Sequence, residues 1–165
     1  MGRLPATWAG RTILDRIPYE ISGELLLTSA QSAVQFPDNT FSNNTDKPLE
    51  IHRMIPRQYA LDSNLVLLPT QPDQELLAGL TRVEINDLGV NQIITKNPTL
   101  IGLLTKGSSE RSWEFADPHY LTKGNQIQIT ATALTYPAIE GLSRIRSGIA
   151  FQGFLLVVSP PSENR

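Results

Sequence analysis

The stretch Gln126-Ile-Gln-Ile-Thr-Ala-Thr-Ala133 decides the fold. Ile127, Ile129 and Ala131 alternate with Gln128, Thr130 and Thr132. A period of two puts the first set inward and the second in water, which is a half-buried strand. The tight turn Lys123-Gly124-Asn125 leads into it. Downstream, Pro137 and Gly141 loosen a loop, and Arg144 to Val158 reads as a long last strand with Ile145, Ile149, Phe151 and Leu155 on one face. Gly148 and Gly153 mark bulges or close backbone approach. Pro160-Pro161 stops the strand. Upstream, Thr81 to Asp87 repeats the pattern, with Val83 and Ile85 set against Arg82, Glu84 and Asn86.

Further toward the N-terminus the signals are shorter. Trp113-Glu114-Phe115 puts two aromatics on one face of a short strand, and Asp117-Pro118-His119-Tyr120 reads as a turn. Thr99 to Leu104 suits a buried strand or a short helix, and periodicity does not choose between them. Gln92 to Thr95 continues the sheet after a bend at Gly89, and Asn97-Pro98 ends it. Leu49 to Met54 is a strand after Pro48, with Leu49 and Ile51 facing one way and Glu50 and His52 the other. Residues 55–79 contain Pro56, Pro69 and Pro72 and read as a long irregular connection, with a short strand at Leu65–Leu68. Tyr19 to Thr28 is the first strand, interrupted by Gly23. Val34-Gln35-Phe36 runs into a turn at Pro37-Asp38-Asn39.

Residues 1–18 read as an arm, broken by Pro5 and Pro18 and loosened by Gly2 and Gly10. Leu4, Trp8, Ile13, Leu14 and Ile17 make it too apolar for a free tail. They pack either on their own domain or on a neighbouring subunit. The tally is seven or eight strands and long turn-rich connections, with no helix beyond the short one that Thr99 to Leu104 leaves open. The fold expected is all-β, a jelly-roll or Greek-key β-sandwich with an extended N-terminal arm. Its divisions are an arm at 1–18, the sandwich at 19–158 and a tail at 159–165.

A chain of 165 residues is one domain and buries a core without staples. With no cysteine there is no disulfide framework, thiolate metal site or Cys nucleophile. Only 18% of residues are charged and the net charge is −2, which argues against a nucleic-acid partner. No run of 18 apolar residues is present, so no membrane helix is expected. Met1 to Pro5 lacks the apolar region of a secretory signal. Asn43-Asn44-Thr45 fits a glycosylation sequon and is read as a polar turn.

Convergent chemistry is hard to find. His52 and His119 lie far apart and belong to neither an H-x-H nor an H-E-x-x-H pattern. There is no G-x-S-x-G elbow. Glu84 and Glu114 read as solvated strand faces, and Gly102 and Gly107 fit no phosphate-binding loop. Trp113 pairs with Phe115 as core, whereas Trp8 is the candidate inter-subunit anchor. The expectation is a non-enzymatic chain with no catalytic, cofactor-binding or metal residues. Its partner-binding candidates are Leu4, Trp8, Ile13 and Leu14.

Phe41-Ser-Asn-Asn-Thr-Asp-Lys-Pro-Leu-Glu-Ile-His-Arg-Met54, then Val83-Glu-Ile-Asn-Asp-Leu88, Trp113-Glu-Phe115, Tyr120-Leu-Thr-Lys-Gly-Asn-Gln-Ile-Gln-Ile129 and the strand Arg146 to Val157 follow in a familiar order. Over residues 36–158 the pattern resembles the jelly-roll cement or decoration proteins on tailed-bacteriophage capsids. That resemblance implies a virion structural protein, made in the host cytoplasm and placed on the capsid exterior. It also implies a homotrimer that binds the major capsid protein, with no nucleic acid, membrane or small-molecule substrate. Two other classes compete. A carbohydrate- or receptor-binding sandwich, such as a tail-fibre tip, requires Trp113 in solvent beside a polar groove. A cupin-like enzyme requires His52 or His119 inside the barrel with carboxylates nearby.

Overall fold

The structure, a computed structural model, describes residues 6–28, 33–35, 41–90, 92–95, 99–105, 112–134 and 139–161. In chain order the elements are β1 (Thr7–Trp8), β2 (Arg11–Thr28), β3 (Ala33–Gln35), β4 (Leu49–Leu61), α1 (Gln74–Gly79), β5 (Thr81–Asp87), β6 (Gln92–Ile93), β7 (Thr99–Leu100), α2 (Ile101–Leu104), β8 (Trp113–Leu121), β9 (Ile127–Ala133) and β10 (Arg144–Val158). The alternating stretches expected at 81–87, 126–133 and 144–158 are the strands Thr81–Asp87, Ile127–Ala133 and Arg144–Val158.

Two antiparallel sheets result. One is ordered β1-β2-β10-β4-β8 and the other β3-β9-β5-β6, with β7 also on β5. The pairs nest: β2 with β10, β3 with β9, β4 with β8, and β5 with β6. This is the pairing of one long hairpin. Two further ladders, β10 on β4 and β9 on β5, fold that ribbon across itself. Inward side chains of both sheets then share one core. Ile21, Ile51, Met54, Ile145, Ile149 and Phe151 come from one sheet, and Val83, Ile85, Ile129 and Ala131 from the other. Phe41 meets Phe151 edge-on at 5.3 Å, and Leu77 and Ile101 of the short helices join the same cluster. Withdrawing this apolar surface from water is the main stabilising term.

Several local expectations are corrected. Residues 11–18 are the first half of β2, in register with β10 from Val158 back to Phe154. Pro18 lies inside β2 opposite Phe154, and Pro56 lies inside β4 opposite Ile149. Both sit where one side of their strand is open. Past Thr12 no described strand pairs with the outer side of β2, and β8 pairs with β4 only as far as Met54. A missing N–H on an open side removes no ladder bond. The connection expected from 55 is strand through Leu61 and helix from Gln74, and Leu67 makes only an isolated bridge to Leu61. The turn expected at 117–120 is part of β8, but the register jumps between Ile51↔His119 and Arg53↔Glu114, so Phe115 to Pro118 bulge out. Thr99 to Leu104 is both alternatives, two residues of strand and then a helical turn.

The chain reverses before β2 through a two-residue turn with Ala9 at φ 49° and Gly10 at φ 74°. Positive φ at both central residues gives the turn whose twist suits a hairpin. Leu4, Pro5, the turn at 37–39, Asn97-Pro98, Gly107, Pro137 and residues 162–165 lie outside the described residues.

Candidate functional site: the outer face of the five-stranded sheet

Along β10, Ile145, Ser147, Ile149 and Phe151 are buried, so Arg146, Gly148, Ala150 and Gln152 face outward. Register places each between a residue of β2 and one of β4. The rows are Glu20-Gln152-Arg53, Ser22-Ala150-Ile55, Glu24-Gly148-Arg57 and Leu26-Arg146-Tyr59. The β10 floor is therefore low at Ala150 and Gly148, the β2 wall is acidic and the β4 wall is basic. A groove of about 450 Å³ lies over this floor. It shares Glu20 and Gln152 with a wider hollow of about 640 Å³, which Tyr19, His52, Glu114 and Phe154 also line. Arg53 Nε donates to Gln152 Oε1 at 2.9 Å, and Gln152 Nε2 donates to Glu20 Oε2 at 2.6 Å, so the first row is bridged. The third row has no side chain at its centre. Glu24 and Arg57 are both exposed there, and neither bonds to another described residue.

At the hollow, β4 carries an extra residue. Gln152 pairs with Arg53 and Gly153 with Ile51, which leaves His52 unmatched. The bulge lets Ile51 and Met54, three positions apart, both reach the core. It also brings His52 and Arg53 together onto the outer side, where both line the hollow. A β-carbon at Gly153 would fall on the Glu50 carbonyl, so only glycine passes there.

Glu50 also faces outward but is 0% exposed. The N-terminal hairpin reaches back over this part of the sheet, and the Trp8 and Tyr120 rings lie 6.5 Å apart. His52 Nε2 sits 2.6 Å from Glu50 Oε1. Arg16 donates to the two carboxylate oxygens at 3.4 and 3.3 Å, and the Tyr120 hydroxyl donates to Oε2 at 3.4 Å. A buried carboxylate needs such partners. Burial, and after it the Glu50 charge, push the Tyr120 phenol above its ordinary 10.0.

The second histidine is held likewise. His119 Nε2 lies 2.6 Å from Asp87 Oδ2, and Asp87 is 0% exposed. Its Oδ1 accepts from the Gly89 and Val90 amides at 2.7 and 3.3 Å. Because His119 is on β8 and Asp87 on β5, this pair ties one sheet to the other. Both histidines thus meet buried acids. Alternation along β4 already put His52 on the same face as Glu50, whereas only the fold brings His119 of β8 to Asp87 of β5. A histidine–carboxylate pair acts as a general base when it faces a nucleophile. Among the described residues no hydroxyl is hydrogen-bonded to either imidazole, and no three His, Cys, Asp or Glu side chains are grouped to hold a metal ion.

The partner-binding candidates are placed differently from one another. Trp8 is half-buried on Tyr120 of its own chain, and Ile13 is half-buried. Leu14 is 63% exposed and Leu4 lies outside the described residues. Trp113 packs on the core with Phe115 at 4.6 Å, away from the solvent position a sugar platform requires. Asn43 is buried and its amide donates to the Lys47 and Leu121 carbonyls, as a turn residue does. No helix among the described residues is long and apolar enough to cross a membrane. No protein-family model, curated protein or solved structure matches the chain.

Proposed function

We propose that the chain is a non-enzymatic structural subunit of jelly-roll type that decorates the outside of a virion shell by binding its coat protein. Support for the jelly roll is the nested pairing. Numbered without β1 and β7, the strands order as 1-8-3-6 and 2-7-4-5, as expected of an eight-strand ribbon rolled into two sheets. That architecture serves coat proteins, lectins and enzymes alike, so function has to rest on the surface.

The observation that carries the proposal is the open side of β2. From Ile13 to Leu26 no described strand pairs with it. Leu14, Ile17 and Tyr19 along it are 63%, 41% and 36% exposed. A long edge with large apolar side chains is a liability in a free monomer and an asset in a subunit that is covered by another chain. Pro18 in its midst limits pairing to the flanking residues and favours side-chain contact there. The test uses empty shells of the virus that encodes the chain. The full chain is expected to bind them. Leu14→Asp/Ile17→Asp, which alters only exposed positions, is expected to bind at least tenfold more weakly with an unchanged melting temperature. Absence of binding by the natural chain, or equal binding by the variant, overturns the proposal.

A further inference from the structure

We infer that the groove face of β2, β10 and β4 is a self-association surface, on which a second copy docks about a two-fold axis parallel to β10. This goes beyond shell binding and uses different residues. The rows fix the geometry. Glu20 and Glu24 stand on one side of β10 and Arg53 and Arg57 on the other. Two copies placed face to face can be related by an axis along the strands or across them. An axis across the strands sets β2 on β2, so glutamates oppose glutamates and arginines oppose arginines. An axis along β10 sets the β2 of each copy on the β4 of the other. Glu24 then meets the partner copy's Arg57, and the reciprocal contact forms by symmetry. Strand directions in the two faces agree, as aligned sheet packing requires.

The centre of the face fits this use. Gly148 and Ala150 keep the floor low, so the walls of each copy approach across it. Glu24 and Arg57 lack bonds to described residues of their own chain, whereas Glu20 and Arg53 in the adjacent row are already bridged through Gln152. Opposite charges that miss each other across a gap within one chain are aligned between two. Four short rows make a contact smaller than a standard interface, so the pair is reversible and sensitive to salt.

Sedimentation velocity of the full chain tests this without any shell. The natural chain is expected to show a monomer–dimer equilibrium at tens to hundreds of micromolar, weakened by added salt. Glu24→Arg gives a face with arginine on both walls, and Arg57→Glu gives one with glutamate on both. Each variant alone is expected to lose dimer at least tenfold. An equimolar mixture of the two is expected to recover it, because every contact between a β2 wall and a β4 wall in the mixed pair is of opposite sign, and the Arg146 side chains at the axis are the same in all the pairs compared. Recovery also shows that both variants are folded. A natural chain that stays monomeric throughout, single variants that still dimerise, or a mixture that stays monomeric each overturns the inference. Since Leu14 and Ile17 take no part, shell binding stands or falls separately.

Discussion

Two carboxylates, Glu50 and Asp87, are withdrawn from water entirely and held by the chain's two histidines. Replacing His119 by alanine leaves Asp87 buried with only the amide contacts on its other oxygen. Removing one partner of a buried pair costs about 3 kcal/mol. His119→Ala should therefore shift the urea midpoint strongly at constant slope, and His119→Ala/Asp87→Asn should regain part of the loss by removing the stranded charge. His52→Ala should cost less, about 1.5 kcal/mol, because Arg16 and Tyr120 still serve Glu50. Tyr120 predicts an alkaline limb. Its folded-state value lies above the ordinary 10.0, so above that pH the unfolded chain loses the proton first. Stability is then unaffected below about pH 10 and falls as pH rises through the folded value. Tyr120→Phe should flatten this limb, as read by denaturation at a series of alkaline pH values.

Among the elements, the β4 bulge and the first turn carry the clearest consequences. Gly153→Ala drives a methyl into the Glu50 carbonyl, a contact with backbone that cannot rotate away. A cost of at least 1–3 kcal/mol is expected, with loosening of the Glu50 cluster. Ala9 holds φ 49° without being glycine. Ala9→Gly should leave stability equal or up to about 1 kcal/mol higher, since a non-glycine residue pays about 1–2 kcal/mol there and glycine pays part of that in entropy. What was legible in the sequence follows the same logic. β5, β9 and β10 declare themselves because each has one wet and one dry face. Pro18, Pro56 and Pro118 misled, because a proline costs little on an open side or in a bulge, and openness is a property of neighbours. Glu50 was legible as outward-facing but not as buried. Alternation gives a side chain's direction, and the groups that close over this one include Arg16 and Tyr120, both distant in sequence. The low floor of the groove was visible only at Gly148, read like Gly153 as a bulge or a close backbone approach, and the close approach is what Gly153 makes to Glu50.

At the scale of the molecule, the two antiparallel sheets leave one long side of β2 and one charged face that no other described strand covers. The N-terminal segment is woven into the sheet, so deletion of residues 1–18 would remove half of β2 and test folding instead of binding. Point changes on β2 are the cleaner probe. Most direct of all is electron cryo-microscopy of shells saturated with the full chain. Ordered density for the chain is expected on the shell exterior, with Leu14, Ile17 and the open side of β2 against coat protein. Shells that remain bare, or density in which that side of β2 faces solvent, would contradict it.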